Sequence, residues 1–179
     1  MKRNKDIPSL RIAATKDCNF NCYYCPLHGD SYECDNEKQL KKEDYLRIIE
    51  IAHSLGFDHF SVTGGEPLTV PEITFSIAKQ ISEFEDVKYL RLNTNGFFLD
   101  KYSDEIEQAN FGKIKVSLDT LDSKKHSKIT NQPHGIESII RGIDKMIEKQ
   151  IPVRLHTVVT KSNLEELDNI ISFCEEKRY

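Results

Sequence analysis

Short stretches of alternating apolar residues and longer amphipathic stretches follow one another along the chain. Leu10, Ile12 and Ala14 occupy every second position, the spacing of a strand, whereas apolar residues of Lys42–Leu55 recur at helical spacing. The pattern predicts strands at Ser9–Ala14, His59–Thr63, Tyr89–Asn93, Ile114–Leu118 and Val153–Val159. It predicts helices at Lys42–Leu55, Glu72–Phe84, Lys101–Gln108, Ile136–Lys149 and Leu164–Glu176.

This order of elements predicts an α/β fold. Five strand–helix units in succession favour a parallel sheet with right-handed crossovers. The length of 179 residues suits one domain with a single core. Asn163 is expected to cap the last helix, with Glu166 as its capping-box partner. In such folds functional residues gather at the carboxyl ends of the strands, so the turns after the strands are the places where a site is expected.

Three cysteines lie in the turn after the first predicted strand. Cys18, Cys22 and Cys25 have the spacing C-x3-C-x2-C. Three thiolates on one loop can hold an iron–sulfur cluster and leave one iron without a protein ligand. A structural zinc site usually takes four ligands, and no second C-x2-C pair follows. A disulfide is disfavoured because the thiols are crowded and no signal peptide precedes them, which leaves three unconnected thiols as the alternative.

Composition and charge bear on the other classes of function. The formal net charge is -4 without a long basic stripe, which does not suggest nonspecific nucleic-acid binding. No stretch approaches the roughly 18 apolar residues of a membrane helix, and Met1–Lys5 is basic without a following apolar region, unlike a secretory signal. A reducing, cytoplasmic location suits a thiolate cluster. Lys124, Lys125 and Lys128, near His126, indicate a solvated face.

Three further segments span the ends of predicted strands, namely Ser61–Pro67, Leu92–Gly96 and Lys115–Asp119. Together with the cysteine spacing they make the chain, from about Leu10 onward, resemble the radical S-adenosylmethionine (radical SAM) superfamily. Within it the chain is most similar to the GTP 3′,8-cyclases of molybdenum-cofactor biosynthesis. The resemblance implies a partial TIM-type (β/α) barrel, with about five βα units present and the sixth missing. Residues 1–179 are then expected to be a radical SAM core domain truncated at its carboxyl end.

The resemblance also implies two cofactors and their chemistry. Cys18, Cys22 and Cys25 would ligate three irons of a [4Fe–4S] cluster, and the methionyl amine and carboxylate of SAM would chelate the fourth. An electron from the cluster would cleave SAM to a 5′-deoxyadenosyl radical that abstracts a substrate hydrogen. The expected electron donor is a small reductant protein such as flavodoxin or ferredoxin.

Five residues are expected to contact SAM. By resemblance, Tyr24 lies near the adenine, and Ser117 is a SAM-contacting serine at the end of the fourth strand. Gly64 and Gly65 lack a Cβ, which allows the backbone and a ligand to approach closely. Glu66 supplies a carboxylate for an ammonium group, and in the superfamily this turn receives the methionyl amine.

The substrate residues are also inferred by resemblance. Arg11 matches an arginine that contacts GTP in the cyclases, Arg154 stands at the position of a GTP-contacting lysine, and Asn93 replaces a threonine near the nucleotide. Ser61 stands where the cyclases have a second GTP-contacting arginine. This departure leaves a different small molecule, or a peptide, open as the substrate.

Other residues near the motifs have ordinary explanations. Phe20 is expected to pack the cysteine loop, Cys34 to be a spare thiol and His28 a loop histidine, and Cys174 to lie in the core. His156 either lines the pocket or is a satisfied core residue.

Two further alternatives are a non-catalytic electron-transfer protein and an inactive fragment. An open edge strand would favour a homo-oligomer or a partner chain that completes the barrel.

Overall fold

The computed structural model describes residues 9–25 and 40–177. Within them, five strands form one parallel sheet in the order β1-β2-β3-β4-β5. The strands are β1 (Ser9–Ala13), β2 (His59–Thr63), β3 (Tyr89–Thr94), β4 (Lys113–Ser117) and β5 (Val153–His156). The helices are α1 (Lys42–Ser54), α2 (Pro71–Ser82), α3 (Ser103–Gln108), α4 (Ser123–Thr130), α5 (Gly135–Glu148) and α6 (Leu167–Lys177). The predicted α/β class and parallel sheet are confirmed, and among the described residues the sheet is not closed.

The two faces of the sheet differ in character, as the alternation of the strands requires. On β3, Leu90 and Leu92 are buried, whereas Arg91 and Asn93 alternate with them and are only partly buried. Apolar side chains of the helices, Ile77 of α2 among them, are buried in the same core cluster as these leucines. One face of the sheet therefore forms the core with the helices, and the other carries polar side chains.

Strand β5 is shorter than predicted, because after His156 its backbone bonds to side chains instead of to the backbone of β4. The N–H of Val158 donates to Oδ1 of Asp119 (2.8 Å), and Nδ2 of Asn163 donates to the Val158 carbonyl (2.8 Å). These polar side chains satisfy the backbone, so the chain can leave the sheet.

Helix α4 is absent from the sequence prediction. Asp122 caps it, accepting a hydrogen bond from the N–H of Lys125 (2.7 Å). Lys124 and Lys128 are exposed, as a solvated face requires. His126, however, is only 3% exposed, because its side chain turns toward the cysteine loop.

The predicted capping box at Asn163 and Glu166 is wrong. A 3-10 turn precedes α6, and the Asn163 side chain makes no cap hydrogen bond. Its Nδ2 donates instead to the Asp119 carbonyl (2.8 Å), and the Glu166 carboxylate accepts from Nζ of Lys125 (2.6 Å). Partners distant in sequence have replaced the local cap.

None of the helices in the described part of the chain is long and apolar enough to cross a lipid bilayer.

Candidate functional site

The segment that carries the cysteines, here called the cluster loop (Thr15–Cys25), is bonded to the turn after β2. The N–H of Gly65 donates to the Thr15 carbonyl (2.8 Å), and the next N–H donates to the Asp17 carbonyl (2.8 Å). A Cβ on Gly64 would lie 2.3 Å from the Thr15 oxygen, and one on Gly65 would lie 2.2 Å from the Asp17 oxygen. Both glycines were expected to make room for a ligand. The structure shows that they make room for the backbone of the cluster loop.

The second half of the cluster loop rests on the end of α4. The N–H of Asn21 donates to the Thr130 carbonyl (2.8 Å), and the N–H of Tyr23 donates to the Ile129 carbonyl (3.1 Å). Phe20 is 4% exposed and packs edge-on against two aromatic rings, one after β3 and one on α4. The expected packing role of Phe20 is confirmed. Helix α4, which the sequence analysis does not predict, supports the cluster loop.

The three thiols of the cluster loop are half-buried, free of disulfides and close enough to affect one another. Burial, followed by the neighbouring Cys18, raises the pKa of Cys22 to about 11. Burial likewise raises the pKa of Cys18. The N–H of Phe20 and Nδ2 of Asn95 donate to Sγ of Cys18 at 3.4 and 3.7 Å. The thiols of Cys18 and Cys22 are therefore poor acids by themselves, but donors are already directed at Cys18.

This arrangement fits a [4Fe–4S] cluster. N–H donors to sulfur stabilise the negative charge of iron–sulfur clusters and tune their potential. A further donor is Nδ2 of Asn19, the residue after Cys18, which is buried and has no hydrogen-bond partner among the described residues. Within residues 9–25 and 40–177, no group of three His, Cys, Asp or Glu side chains is spaced to hold a metal ion. The four irons of a cluster spread their cysteine ligands over a wider triangle than one ion does.

Glu66 is placed differently from the expectation that its carboxylate meets a ligand ammonium. It is fully buried, and Oε1 accepts from the N–H of Leu68 (3.0 Å) and the hydroxyl of Thr94 (2.8 Å). Oε2 accepts from the N–H of Asn95 (2.6 Å). Glu66 thus ties the turn after β2 to the end of β3 and holds the residue that reaches Cys18. Its membership of a SAM site stays a prediction.

Glu66→Gln is expected to destabilise the fold by about 1–3 kcal/mol, because an amide NH2 would face a buried donor. Burial raises the pKa of Glu66 to about 7, so folding favours the protonated carboxyl. The contribution of Glu66 to the free energy of unfolding is therefore fully present near pH 4 and is lost as the pH rises through about 7. The stability difference from wild type should therefore shrink between about pH 5 and pH 8 in urea denaturation. Exposed Glu85→Gln is the control. A difference that grows with pH would contradict this account.

Tyr24 and Asp119 link the cluster loop to the end of β4. The Tyr24 hydroxyl donates to Oδ2 of Asp119, which is buried. Burial and this hydrogen bond raise the pKa of the Tyr24 phenol. Ser117, predicted to contact SAM, is exposed and lies opposite His156 in the β4–β5 register. Tyr24 and Ser117 thus lie near the same rim of the sheet, and their contacts with SAM stay predictions.

A cavity of about 190 Å³ opens on the polar face of the sheet. Its lining residues are Arg11, Thr63, Asn93, Lys115, Ser117 and His156. The structure therefore brings the predicted residues Arg11, Asn93 and Ser117 together, and it places His156 at the pocket.

Arg154 is exposed and pairs in register with Lys115, next to the cavity lining. Sequence reasoning did not name Lys115 or Thr63 as site residues, although their alternation with buried strand residues could have placed both on the polar face. Cys34 and His28 lie outside the described residues. The prediction that Cys174 lies in the core is wrong, because it is only partly buried, near the end of α6.

The chain is similar to several GTP 3′,8-cyclases. It is 33% identical over 177 residues to a probable GTP 3′,8-cyclase of Methanococcus aeolicus, covering 97% of this chain and 57% of the relative. It is 36% identical over 171 residues to one of Pyrococcus abyssi, covering 95% and 54%. A GTP 3′,8-cyclase of Campylobacter jejuni is 34% identical over 176 residues, with 97% and 54% covered. The chain thus spans about half the length of these curated relatives.

Solved structures share the fold. The chain superposes on anSMEcpe with bound AdoMet with a TM-score of 0.77 and 20% identity, covering 96% of this chain and 50% of that one. HydG, a maturase of the [FeFe]-hydrogenase, gives a TM-score of 0.68 at 18% identity, with 94% and 39% covered. The model of the Radical SAM superfamily matches residues 12–174. With the three-cysteine loop at the rim of the parallel sheet, this match places the chain in the radical SAM superfamily.

Proposed function

We propose that this chain holds a [4Fe–4S] cluster and binds SAM at the rim of its sheet, as the core of a radical SAM enzyme. One observation carries the proposal. A single loop, fixed by hydrogen bonds to its neighbours, holds the three thiols that such a cluster takes as ligands, those of Cys18, Cys22 and Cys25. Two N–H donors are directed at the sulfur of Cys18. Three thiolates leave one iron for an exchangeable ligand.

When bound, the cluster supplies the electron that cleaves SAM to methionine and a 5′-deoxyadenosyl radical. The protein's own residues position the partners and exclude water. The hydrogen bonds of Gly65 and of the following N–H fix the cluster loop against β2. Glu66 is a positioning residue, since it holds Asn95 beside Cys18. Tyr24 fixes the loop to Asp119 at the end of β4.

The proposed SAM contacts are the rim residues Tyr24 and Ser117 with the turn of Gly64, Gly65 and Glu66. Ser117 lines the cavity, so SAM bound at the rim would adjoin the space where a substrate lies. The buried Glu66 carboxylate would support SAM binding by fixing the shape of this turn.

The proposed substrate is a small anionic molecule such as GTP, bound by Arg11, Asn93 and Arg154. The cyclase names of the relatives support this, and Arg11 and Asn93 line the cavity. A peptide is the second candidate, because one anSMEcpe structure has a bound Kp18Cys peptide.

The remaining proposals concern the surroundings of the enzyme. A reductant such as flavodoxin or ferredoxin would supply the electron. A further strand, from a second copy or a partner chain, could pair with the edge of β5, which among the described residues pairs only with β4. We propose a cytoplasmic location, because a reducing compartment preserves thiolates.

The test is product formation. Anaerobically reconstituted protein with dithionite and SAM is expected to release 5′-deoxyadenosine and methionine in equal amounts, measured by chromatography. Protein prepared without iron is the control. A protein that carries the full cluster and binds SAM, yet never releases 5′-deoxyadenosine, would refute the enzymatic proposal.

A further inference from the structure

Cationic side chains from four strands share the polar face of the sheet. Arg11 on β1 and Arg91 on β3 both lie opposite Ser61 of β2 in the strand register, so they flank a small buried hydroxyl. Lys115 on β4 lies opposite Asn93 on one side and Arg154 on the other. The register thus brings the four cations together around the cavity.

These cations lack neutralising partners among the residues that the structure describes. In the described ranges, 9–25 and 40–177, no carboxylate forms an ion pair with Arg11, Arg91, Lys115 or Arg154. Burial lowers the pKa of Lys115, and the nearby charges of Arg91, Arg11 and Arg154 lower it further. Like charges gathered without counter-charges repel one another, and a bound anion would remove that cost.

Two buried polar atoms on β3 also lack partners in the described part of the chain. Neither Nε of Arg91 nor Oδ1 of Asn93 forms a hydrogen bond with a described residue. Asn93 lines the cavity, and the Arg91 guanidinium is held 5.8 Å from the centre of the Tyr89 ring. Because buried polar groups are almost always paired in native proteins, an open donor and an open acceptor on the same face of one strand indicate a ligand.

We infer that Lys115 and Arg91 form an anion subsite with Arg11 and Arg154 and select a substrate that carries a phosphate chain. This deepens the proposed function and rests on it, since the cavity adjoins the proposed SAM rim. A peptide carboxylate brings one charge, whereas a phosphate chain brings several charges and many acceptor oxygens. Arginine pairs with phosphate oxygens in a fork, and lysine adds a point charge. Lys115 and Arg91 are therefore specificity-determining residues.

Tripolyphosphate is the probe, measured by isothermal titration calorimetry with the anaerobically reconstituted chain at fixed ionic strength. Lys115→Ala and Arg91→Gln are each expected to weaken its binding by about 10-fold or more, the usual effect of losing a charge-assisted hydrogen bond. Lys79→Ala, which removes an exposed lysine of α2, is the matched control and should bind as wild type does. Lys115→Arg should restore most of the affinity. Both subsite variants should fold, because each removes one of four positive charges that repel one another.

Equal affinity in wild type and Lys115→Ala would overturn the inference. So would tighter binding of citrate than of tripolyphosphate, or no binding of tripolyphosphate by wild type. SAM binding is measured on the same preparations. Its absence from wild type would count against the proposed function, whereas intact SAM binding with an unaltered tripolyphosphate affinity in Lys115→Ala would count against this subsite alone.

Discussion

Gly65→Ala is expected to destabilise the protein by about 3 kcal/mol or more and to abolish binding of the cluster. The added Cβ would lie 2.2 Å from the Asp17 carbonyl oxygen and 2.5 Å from that of Lys16. Both are backbone atoms, so no side chain can rotate away to relieve the clash. The cluster loop would have to separate from β2, with loss of the Gly65–Thr15 hydrogen bond. Urea denaturation and iron content after reconstitution measure the two effects.

Gly112→Ala is the matched control for this substitution. Its Cβ would meet the Leu90 carbonyl at 3.6 Å, an ordinary contact. This variant should keep its stability and its iron, or gain slightly from a stiffer unfolded chain. If Gly65→Ala matched Gly112→Ala in both measurements, the close packing of the cluster loop on β2 would be refuted.

Cys22→Ala is expected to lose nearly all bound iron while the apoprotein stays folded. Two remaining thiolates cannot hold a [4Fe–4S] cluster in the three-cysteine arrangement. Cys22 is partly buried at the edge of the core, and alanine keeps its Cβ there, so circular dichroism should be nearly unchanged. Iron and sulfide analysis after anaerobic reconstitution gives the result.

Cys174→Ala serves as the matched control for the loss of a thiol. Cys174 lies on α6, partly buried and outside the cysteine motif. This variant should bind iron as wild type does. Undiminished iron in Cys22→Ala, or an equal loss in both variants, would show that the cluster loop is not the iron site.

The sheet could be predicted because each strand carries its own local signal. Alternating residues such as Leu10 and Ile12, followed by a polar turn, indicate one strand regardless of the rest of the chain. Strand β5 was overextended, since its end depends on Asp119 and Asn163, whose side chains bond to the backbone only after folding. Helix α4 was missed because its sequence, SKKHSKIT, is mostly polar, with Ile129 as its one aliphatic residue.

The site was predictable in its motifs but not in the contacts of its residues. The cysteine spacing gave the cluster loop, because all three thiols lie in eight consecutive residues, Cys18–Cys25. The burial of Glu66 could not be read from Gly-Gly-Glu-Pro, because its partners Thr94 and Asn95 come from another strand. The role of Lys115 could not be predicted either, because it depends on the strand register that places Lys115 beside other cations.

Electron paramagnetic resonance of the reduced, anaerobically reconstituted protein tests the central claim most directly. The spectrum is recorded with and without SAM. A [4Fe–4S] signal that changes on addition of SAM is expected, because SAM would bind the iron that Cys18, Cys22 and Cys25 leave open. A cluster signal indifferent to SAM, or no cluster signal at all, would contradict the proposal that this chain is a radical SAM core.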